Sequence, residues 1–296
     1  MLKAIHYLSL ISIVALVACS SQPQKEQNMS STEANTSFKV MSFNIRYDNP
    51  GDSAHAWPNR KEMVSSVIQY HEADLLGMQE ALEHQVKYLA ESLDHMDWVG
   101  VGRDDGKTKG EFSPIFYNKS KFDLEDSGTF WLSETPDEIS VGWDASMERI
   151  ASWARLKHKQ SAKTIFYLNT HFDHRGEKAR EESAKLIRAK IKELAVDMPI
   201  IVTGDFNSFP ESAAIQNMIS DGELNDAFEV SEQPHHGATS SFSGFVVSNP
   251  MEVNRRIDYI FVSPEVKVKK HAILTDSRNN AYPSDHLPVI AKVSID

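Results

Sequence analysis

The segment PIIVTGDFN (199–207) constrains the fold of this chain more than any other stretch. Its apolar and β-branched residues predict a short buried strand, which Gly204 interrupts. Asp205 and Asn207 follow two positions apart, and alternate residues of an extended chain point to the same side. The pattern predicts either two polar side chains projecting together into an active site, or an Asx-turn that caps a helix over 209–219.

Composition places the chain among ordinary globular proteins. Its 296 residues are 41% hydrophobic and 25% charged, and this length suffices for one large domain or two small ones. No Pro- or Ser-rich linker occurs after residue 37, which favours a single folded domain. The formal net charge of −11 excludes a broad basic surface for duplex DNA or RNA, but it allows a local basic pocket for a small phosphorylated substrate.

Residues 1–18 have the composition of a secretory signal peptide. Lys3 supplies a positive charge, and the apolar run over 8–18 is too short to span a bilayer but suits the hydrophobic part of such a signal. The run ends directly before Cys19, the only cysteine, and this arrangement resembles a bacterial lipobox, in which lipid is attached to the cysteine. The alternative is an ordinary signal peptide with an incidental cysteine, although an unpaired thiol is a liability in an exported protein.

Residues 19–37 are rich in Ser, Gln, Asn and Thr and have no apolar period, so they predict a flexible tether that carries the lipid. Ser20, directly after the cysteine, resembles a signal for sorting to the outer membrane. We therefore expect an exported lipoprotein anchored in the outer membrane of a Gram-negative bacterium. It would touch the membrane only through lipidated Cys19.

Beyond the tether, hydrophobic periodicity predicts many short strands and a few helices. The predicted strands cover residues 38–45, 73–79, 98–102, 111–117, 121–131, 148–158, 163–170, 199–203, 256–262, 266–273 and 288–295. Apart from 209–219, the predicted helices cover residues 59–70, 86–93 and 177–196. Antiparallel connections between strands, combined with these helices, predict an α+β fold with two sheets covered by helices.

Polar residues recur at the ends of the predicted strands. Taken singly, each has a structural explanation: Asn44 as a turn former, Glu80 as the first residue of a helix, Asp258 as the partner of a neighbouring arginine. Taken together, carboxylates, amides and histidines at six strand ends are the side chains that bind Mg²⁺ and phosphate. The full set is Asn44, Glu80, Asn169, His171, Asp205, Asn207, Asp258, Asp285 and His286. Its recurrence predicts one shared site.

The motifs SFNIR, MQE, NTH, GDFN, RIDYIF and SDH follow one another in that order between residues 42 and 286. In order and spacing they resemble the endonuclease/exonuclease/phosphatase superfamily, and the resemblance covers residues 38–296. It implies a four-layer αββα sandwich like that of deoxyribonuclease I, and hydrolysis of a phosphoester by attack of water on phosphorus. It also implies a divalent metal cofactor, Mg²⁺, with Mn²⁺ as the alternative.

The resemblance assigns the metal to three residues. It implies that Glu80 is the principal metal ligand, with Asn44 beside it and Asp285 as a candidate second contact. Arg46 departs from the pattern of abasic-site endonucleases, which carry an acidic residue at that position. This departure argues against abasic-site cleavage and against a second metal site.

The remaining motif residues are implied to act on the water and the phosphate. Asp205 resembles the carboxylate that orients or deprotonates the attacking water, and Asn207 resembles the amide that holds the scissile phosphate. His286 resembles the histidine that stabilises the charge developing on that phosphate, with Asp258 as its orienting partner. His171 resembles a phosphate-binding or acid histidine of the nuclease and sphingomyelinase branches.

Two further residues are expected to bind substrate. Asn169 stands two positions before His171, at the same strand end. Arg103 follows a strand and precedes a flexible Gly/Lys loop, where a guanidinium suits a second phosphate. The alternative for Arg103 is a solvated loop arginine.

The identity of the substrate is left open by the sequence. We expect a monomeric protein and a phosphorylated substrate: an oligonucleotide, a nucleotide, a sugar phosphate or a lipid headgroup. A sphingomyelinase-like lipid phosphodiesterase and a non-catalytic surface-binding protein on the same fold are the alternatives. The presence of Glu80, Asp205 and His286 favours an enzyme over a binding protein.

Overall fold

A computed structural model describes residue 1, residues 36–248 and residues 255–295 of the chain. The predicted lipidation site Cys19 lies outside these ranges, as do nearly all of the predicted signal peptide and tether. Within the described ranges, no helix combines the length and the apolar character needed to cross a membrane.

Helices occur in two parts of the described chain, residues 50–92 and residues 177–219, and runs of strands make up much of the rest. The strands are β1 (Ser37–Asn44), β2 (Leu75–Gln79), β3 (Met96–Val99), β4 (Ile115–Asn118), β5 (Phe122–Trp131), β6 (Ile150–His158), β7 (Thr164–His171), β8 (Ile200–Asp205), β9 (Asn225–Asp226), β10 (His236–Gly237), β11 (Asp258–Val262), β12 (Val266–Ile273) and β13 (Val289–Ile295). The helices are α1 (Trp57–His71), α2 (Glu83–Ser92), α3 (Glu177–Leu194) and α4 (Ala213–Ile219), and a short 3₁₀ helix covers Pro50–His55.

The strands form two mixed sheets. The first has the order β10-β12-β13-β1-β2-β4-β3, and the second has the order β5-β6-β7-β8-β11-β9. In the first sheet, β1 pairs in parallel with β2 and antiparallel with β13. In the second, β8 pairs in parallel with β7 and antiparallel with β11. The carboxyl ends of β1 and β8 meet, since Nδ2 of Asn44 lies 2.9 Å from Oδ2 of Asp205.

Three apolar clusters separate four layers. Side chains such as Val40 of β1 and Ile260 of β11 are fully buried between the two sheets. On the outer face of the first sheet, α1 and α2 pack onto the strands, with Leu89 and Met78 in one cluster. On the outer face of the second sheet, α3 and α4 pack in the same way, with Ile187 in the third cluster. The predicted four-layer αββα sandwich is therefore confirmed.

The two sheets approach each other closely behind the strand ends. A Cβ atom on Gly77 of β2 would clash with the hydroxyl of Thr203 on β8, so a glycine is required there. Asn169 of β7 spans the gap, because its Nδ2 donates to the backbone carbonyl oxygens of Met78 (2.6 Å) and Pro114 (3.0 Å) on the other sheet. These contacts fix the spacing between the sheets.

Most predicted elements agree with the structure, and their boundaries differ by a few residues. The strand predicted over 111–117 is too long, because the strand proper begins at Ile115 and Phe112 forms only isolated bridges, to Ala81 and Gly102. The strands β9 and β10 were not predicted, since two residues are too few to show a period.

Candidate active site

Three ionisable side chains form a row across the second sheet. In the pairing register, Asp205 at the end of β8 stands opposite His171 of β7 on one side and opposite Asp258 of β11 on the other. Residues in register on adjacent strands project from the same face of a sheet, so pairing alone brings these three together. All three are almost fully buried, and buried ionisable groups in a cluster are a mark of functional sites.

The first sheet contributes Asn44 at the end of β1 and Glu80 directly after β2. Nδ2 of Asn44 donates to Oε1 of Glu80 (3.1 Å) and to Oδ2 of Asp205 (2.9 Å), so one amide joins carboxylates from both sheets. Glu80 has a left-handed backbone with φ of 61°, which costs a non-glycine residue about 1–3 kcal/mol. Such strain is retained where the surrounding structure fixes it, and functional sites are a common place for it.

His286 reaches the site from the loop before β13. Its Nδ1 lies 2.9 Å from Oδ2 of Asp258, and its Nε2 lies 3.7 Å from Oδ2 of Asp205. The hydroxyl of Ser284 donates to the carbonyl oxygen of Asn44 (2.7 Å), which ties this loop to the end of β1. The loop thereby completes a site whose other members stand at the ends of strands.

The environments of the two histidines drive their pKa values apart. Burial by itself would lower the pKa of His286, but the carboxylates of Asp258 and Asp205 outweigh burial and raise this pKa well above its ordinary value. Burial, reinforced by nearby arginine side chains, lowers the pKa of His171 well below its ordinary value. The surroundings therefore favour the imidazolium form at His286 and the neutral form at His171.

Asp205 has the electrostatic character of a general base. Burial and the neighbouring carboxylate of Asp258 raise the pKa of Asp205 to about 7, although His286 opposes them. The backbone N–H of Asn207 donates to its Oδ1 (2.9 Å) and holds the carboxylate in place. A fixed carboxylate whose pKa is near neutral is suited to accept a proton from water.

Side chains of the kind that bind a divalent cation converge at this point. Glu80, Asp205 and His286 each bring a ligand atom within 4.8 Å of the other two. The carboxylate oxygens of Glu80 and Asp205 are the hard ligands that Mg²⁺ and Mn²⁺ take in proteins. Asp258 adds a third carboxylate beside this group, and a divalent cation would neutralise part of the negative charge. The residues present thus fit the implied metal.

Arg46 lies on the acidic side of the site. Its guanidinium is 3.0 Å from a carboxylate oxygen of Asp52, 3.8 Å from Glu80 and 3.9 Å from Asp285. Asp285, a predicted metal contact, therefore shares an arginine with Glu80, and it is not part of the group formed by Glu80, Asp205 and His286. Arg46 therefore forms ion pairs with carboxylates at the edge of the site, which its position in the sequence did not indicate.

The two interpretations of GDFN are both partly realised. The backbone N–H of Asn207 closes an Asx-turn onto Asp205, and Asn207 itself has a left-handed backbone with φ of 45°. The side chain of Asn207 also projects into the site, with Nδ2 3.1 Å from Nε2 of His171. The prediction that this turn caps a helix is wrong, because α4 is capped by Ser212, whose hydroxyl accepts a hydrogen bond from the N–H of Ile215.

Asn169, a predicted substrate-binding residue, lies in the interior between the sheets. Besides its two bonds to backbone carbonyl oxygens, its Oδ1 accepts hydrogen bonds from Nε2 of Gln79 (2.7 Å) and from the hydroxyl of Thr203 (3.0 Å). The residue has no exposed surface. Its position indicates a structural contact and leaves no side-chain surface for a substrate.

Arg103, the other predicted substrate-binding residue, is paired with a carboxylate. Its guanidinium donates to both oxygens of Glu111, at 2.7 and 3.1 Å, and Oε2 of Glu111 lies 3.8 Å from Nδ1 of His171. Arg149 is buried beside them, and a small cavity is lined by Arg103, Glu111, Arg149 and His171. Arg103 therefore borders the site through Glu111 and His171, and it is not the solvated loop arginine of the alternative interpretation.

Phe242 was not singled out by the sequence, yet it lies next to His286. The two ring centroids are 5.1 Å apart and the ring planes meet at 76°. Nearly half of Phe242, 47%, is exposed to solvent. It belongs to an irregular loop with no hydrophobic period, so only the three-dimensional structure connects it with the site.

Comparison with solved structures identifies similar proteins over most of the chain. An endonuclease/exonuclease/phosphatase family protein from Bacteroides thetaiotaomicron is 42% identical, with a TM-score of 0.85, over 88% of this chain and 98% of that one. A mannosyl-6-phosphatase from Bacteroides thetaiotaomicron is also 42% identical, with a TM-score of 0.83, over 87% of this chain and 100% of that one.

Comparison with curated sequences finds a more distant relative. The 3′-5′ exoribonuclease subunit of the CCR4-Not complex of Saccharomyces cerevisiae is 22% identical over 343 residues. This alignment covers 92% of this chain but only 40% of the exoribonuclease subunit.

A family model supplies the remaining finding. The model of the Endonuclease/Exonuclease/phosphatase family matches residues 41–286. This range includes every residue of the site described above, from Asn44 on β1 to His286 in the loop before β13. The chain belongs to the endonuclease/exonuclease/phosphatase family.

Proposed function

We propose that this protein is a divalent-metal-dependent phosphatase that hydrolyses phosphomonoesters of sugars by attack of water on phosphorus. Membership of the family supports a phosphoesterase. The observation that carries the proposal is the convergence of Glu80, Asp205 and His286 within 4.8 Å, which combines cation ligands, a base and an imidazolium in one place.

A sugar phosphate is favoured by the relatives and by charge. The mannosyl-6-phosphatase is 42% identical and is covered over 100% of its length, whereas the exoribonuclease subunit is 22% identical and is covered over 40%. A net charge of −11 also disfavours a polyanionic substrate such as an oligonucleotide. These observations support a small phosphomonoester.

Each side chain of the site has a part in the proposed reaction. Asp205, whose pKa is about 7, orients the attacking water and accepts its proton. As the new bond to phosphorus forms, the bond from phosphorus to the sugar oxygen breaks, and that oxygen leaves as an alcohol after taking a proton from solvent. The imidazolium of His286, oriented by Asp258, donates a hydrogen bond to the phosphate and stabilises its developing charge. One N–H of the Asn207 amide donates to the carbonyl oxygen of Phe172 (3.0 Å), and the other, which faces Nε2 of His171, would donate to the phosphate. A metal ion bound at Glu80 would supply charge neutralisation of the phosphoryl group.

His171 has a different part from His286 because it stays neutral. Its pKa is lowered well below the ordinary value, first by burial and then by nearby arginines. Its Nε2 lies 3.1 Å from Nδ2 of Asn207, so both groups can contact one phosphate. We propose that His171 positions the phosphate without carrying charge.

The site of action is also part of the proposal. The apolar run that ends at Cys19, and the polar segment 19–37 after it, support an exported lipoprotein, and Ser20 supports sorting to the outer membrane. Metabolic labelling with a fatty acid tests this. The wild-type chain should be labelled and sediment with membranes, whereas Cys19→Ser should be neither labelled nor membrane-bound.

The proposed activity is tested with the purified full-length chain after chelation of metals. We expect release of inorganic phosphate from mannose 6-phosphate when Mg²⁺ or Mn²⁺ is restored, and loss of that release in His286→Ala. His95→Ala, which changes an exposed histidine, serves as the matched control and should retain wild-type activity. Failure to release phosphate from any sugar phosphate, or unchanged activity in His286→Ala, would overturn the proposal.

A further inference from the structure

Phe242 is an exposed aromatic side chain beside the proposed catalytic histidine. It is 47% exposed, and its ring lies nearly perpendicular to that of His286, with the centroids 5.1 Å apart. A phenylalanine left this exposed forgoes much of the hydrophobic stabilisation that burial would supply. Packing therefore does not explain why an aromatic ring stands at this position.

The backbone around Phe242 is held from two sides. The hydroxyl of Ser241 accepts hydrogen bonds from the N–H groups of Ile257 (2.9 Å) and Asp258 (3.0 Å), which connects the loop to the start of β11. The carbonyl oxygen of Ser241 accepts a hydrogen bond from the N–H of Leu287 (2.7 Å), which connects it to the loop of His286. The ring is thus preorganised at the edge of the site and does not belong to a loosely attached segment.

We propose that Phe242 is a specificity-determining residue that binds the organic part of the substrate, stacking against the apolar C–H face of a sugar ring whose phosphate lies at His286. This inference rests on the proposed function. The C–H face of a pyranose and the face of a phenyl ring are both flat and apolar, so their contact removes apolar surface from water. Phe242 has neither a charge nor a proton that it can transfer. It therefore contributes to substrate affinity but takes no part in the hydrolysis itself.

The surroundings of Phe242 favour a sugar over a nucleobase. Proteins that bind single-stranded nucleic acid combine aromatic platforms with a positively charged groove along the backbone. Here carboxylate oxygens of Asp258 and Asp205 lie 2.9 and 3.7 Å from the ring nitrogens of His286. Phe242 is also the one phenylalanine among the exposed large hydrophobic residues of the described ranges. One exposed aromatic ring, next to a histidine that is flanked by carboxylates, suits one small ring and not a polyanionic chain.

A comparison of two substrates distinguishes a role of Phe242 in binding the sugar from a role in phosphate hydrolysis. Mannose 6-phosphate has a pyranose ring on which Phe242 would stack, whereas glycerol 3-phosphate has no ring. We expect Phe242→Ala to raise KM for mannose 6-phosphate about three- to tenfold with kcat nearly unchanged, because a lost stacking contact removes ground-state and transition-state binding equally. KM for glycerol 3-phosphate should not change. Phe242→Tyr, which keeps the ring, should restore the wild-type KM.

Tyr70→Ala is the matched control, since Tyr70 is an exposed aromatic residue near the end of α1. Equal melting temperatures of all variants show that the comparison concerns binding and not folding. An unchanged KM for mannose 6-phosphate in Phe242→Ala, or an equal loss with both substrates, overturns the assignment and leaves the proposed function standing. Loss confined to an oligoribonucleotide identifies a nucleobase as the occupant and also overturns it. A wild-type chain that hydrolyses no sugar phosphate overturns both proposals.

Discussion

Oδ2 of Asp258 lies 2.9 Å from Nδ1 of His286, and this contact orients the imidazole toward Asp205. Both members are almost fully buried, so the attraction between them is little screened by water. The pair keeps the imidazole protonated despite burial, which would otherwise lower its pKa. In the proposed reaction, the positive charge of His286 therefore depends on Asp258, a residue that need not touch the substrate.

Replacement of this orienting carboxylate tests its role. We expect Asp258→Asn to lower kcat by about 10²–10⁴-fold with a small effect on KM, because the amide no longer favours the imidazolium. Phosphate release is measured for Asp258→Asn, His286→Ala and the double variant. The double variant should be no slower than His286→Ala, since the two residues act as a unit. Asp94→Asn, at an exposed position, is the control. Wild-type kcat in Asp258→Asn would contradict the role.

Metal binding should depend on Glu80. Glu80→Gln removes a charge from the oxygen ligands and should weaken Mg²⁺ and Mn²⁺ binding by more than about tenfold. Titration calorimetry on the chelator-treated protein measures this without any substrate. Glu91→Gln, on the exposed side of α2, should bind as the wild type does. Equal affinities in wild type and Glu80→Gln would place the metal elsewhere.

The position of Asn169 predicts a loss of stability on substitution. Asn169→Leu would remove the hydrogen bonds that the amide makes to the carbonyl oxygens of Met78 and Pro114 and to the side chains of Gln79 and Thr203. Buried polar groups left unpaired destabilise a protein, and we expect the free energy of unfolding to fall by about 3 kcal/mol. Urea denaturation measures the change. A normal stability with a raised KM would instead support the predicted substrate contact.

Acid should destabilise the fold through His271 of β12. Burial, then the charges of His235 and Arg256, lower the pKa of His271 to about 3. In the unfolded chain this imidazole titrates near pH 6.5, so between about pH 6.5 and 3 the unfolded state binds the extra proton. Stability should therefore decrease as pH falls, by up to about 1.4 kcal/mol per pH unit from this group.

Replacement of the imidazole isolates this contribution. Urea denaturation of wild type and His271→Phe between pH 7.5 and 4.5 should give a flatter pH dependence for the variant. His95→Phe, at an exposed position, should follow the wild-type dependence. Parallel dependences for wild type and His271→Phe would show that the buried imidazole does not determine the acid sensitivity.

The parts of the fold that could be predicted are those whose secondary structure shows in the pattern of neighbouring residues. The strand before Gly204 and the helix over 177–196 follow from hydrophobic period and length, and the structure confirms both with small changes of boundary. The sheet order could not be predicted in this way, because β1 lies between β2 and β13, and the pairing with β13 joins residues from opposite ends of the domain. Lipidation at Cys19 stays a prediction.

The candidate site was predictable where residue type and strand end coincide. Asp205, Asp258 and His171 stand in register because strands place their ends in a row, and motif order pointed to all three. Asn169 has the same residue type and the same strand, but its contact depends on how closely the second sheet packs. Phe242 carries no local signal, because its relevance comes only from the loop that brings it to His286.

The close approach of the sheets at Gly77 has a consequence for divergence within the family. Asn44 and Glu80 stand on one sheet and Asp205 on the other, so the distances among them depend on the gap that Gly77 permits. A change in the interior of the sandwich thus alters chemistry as well as stability, whereas replacement of the exposed Phe242 side chain alone leaves the gap at Gly77 unchanged. A substitution of the exposed ring can therefore change substrate range without moving the two sheets that carry the hydrolytic residues.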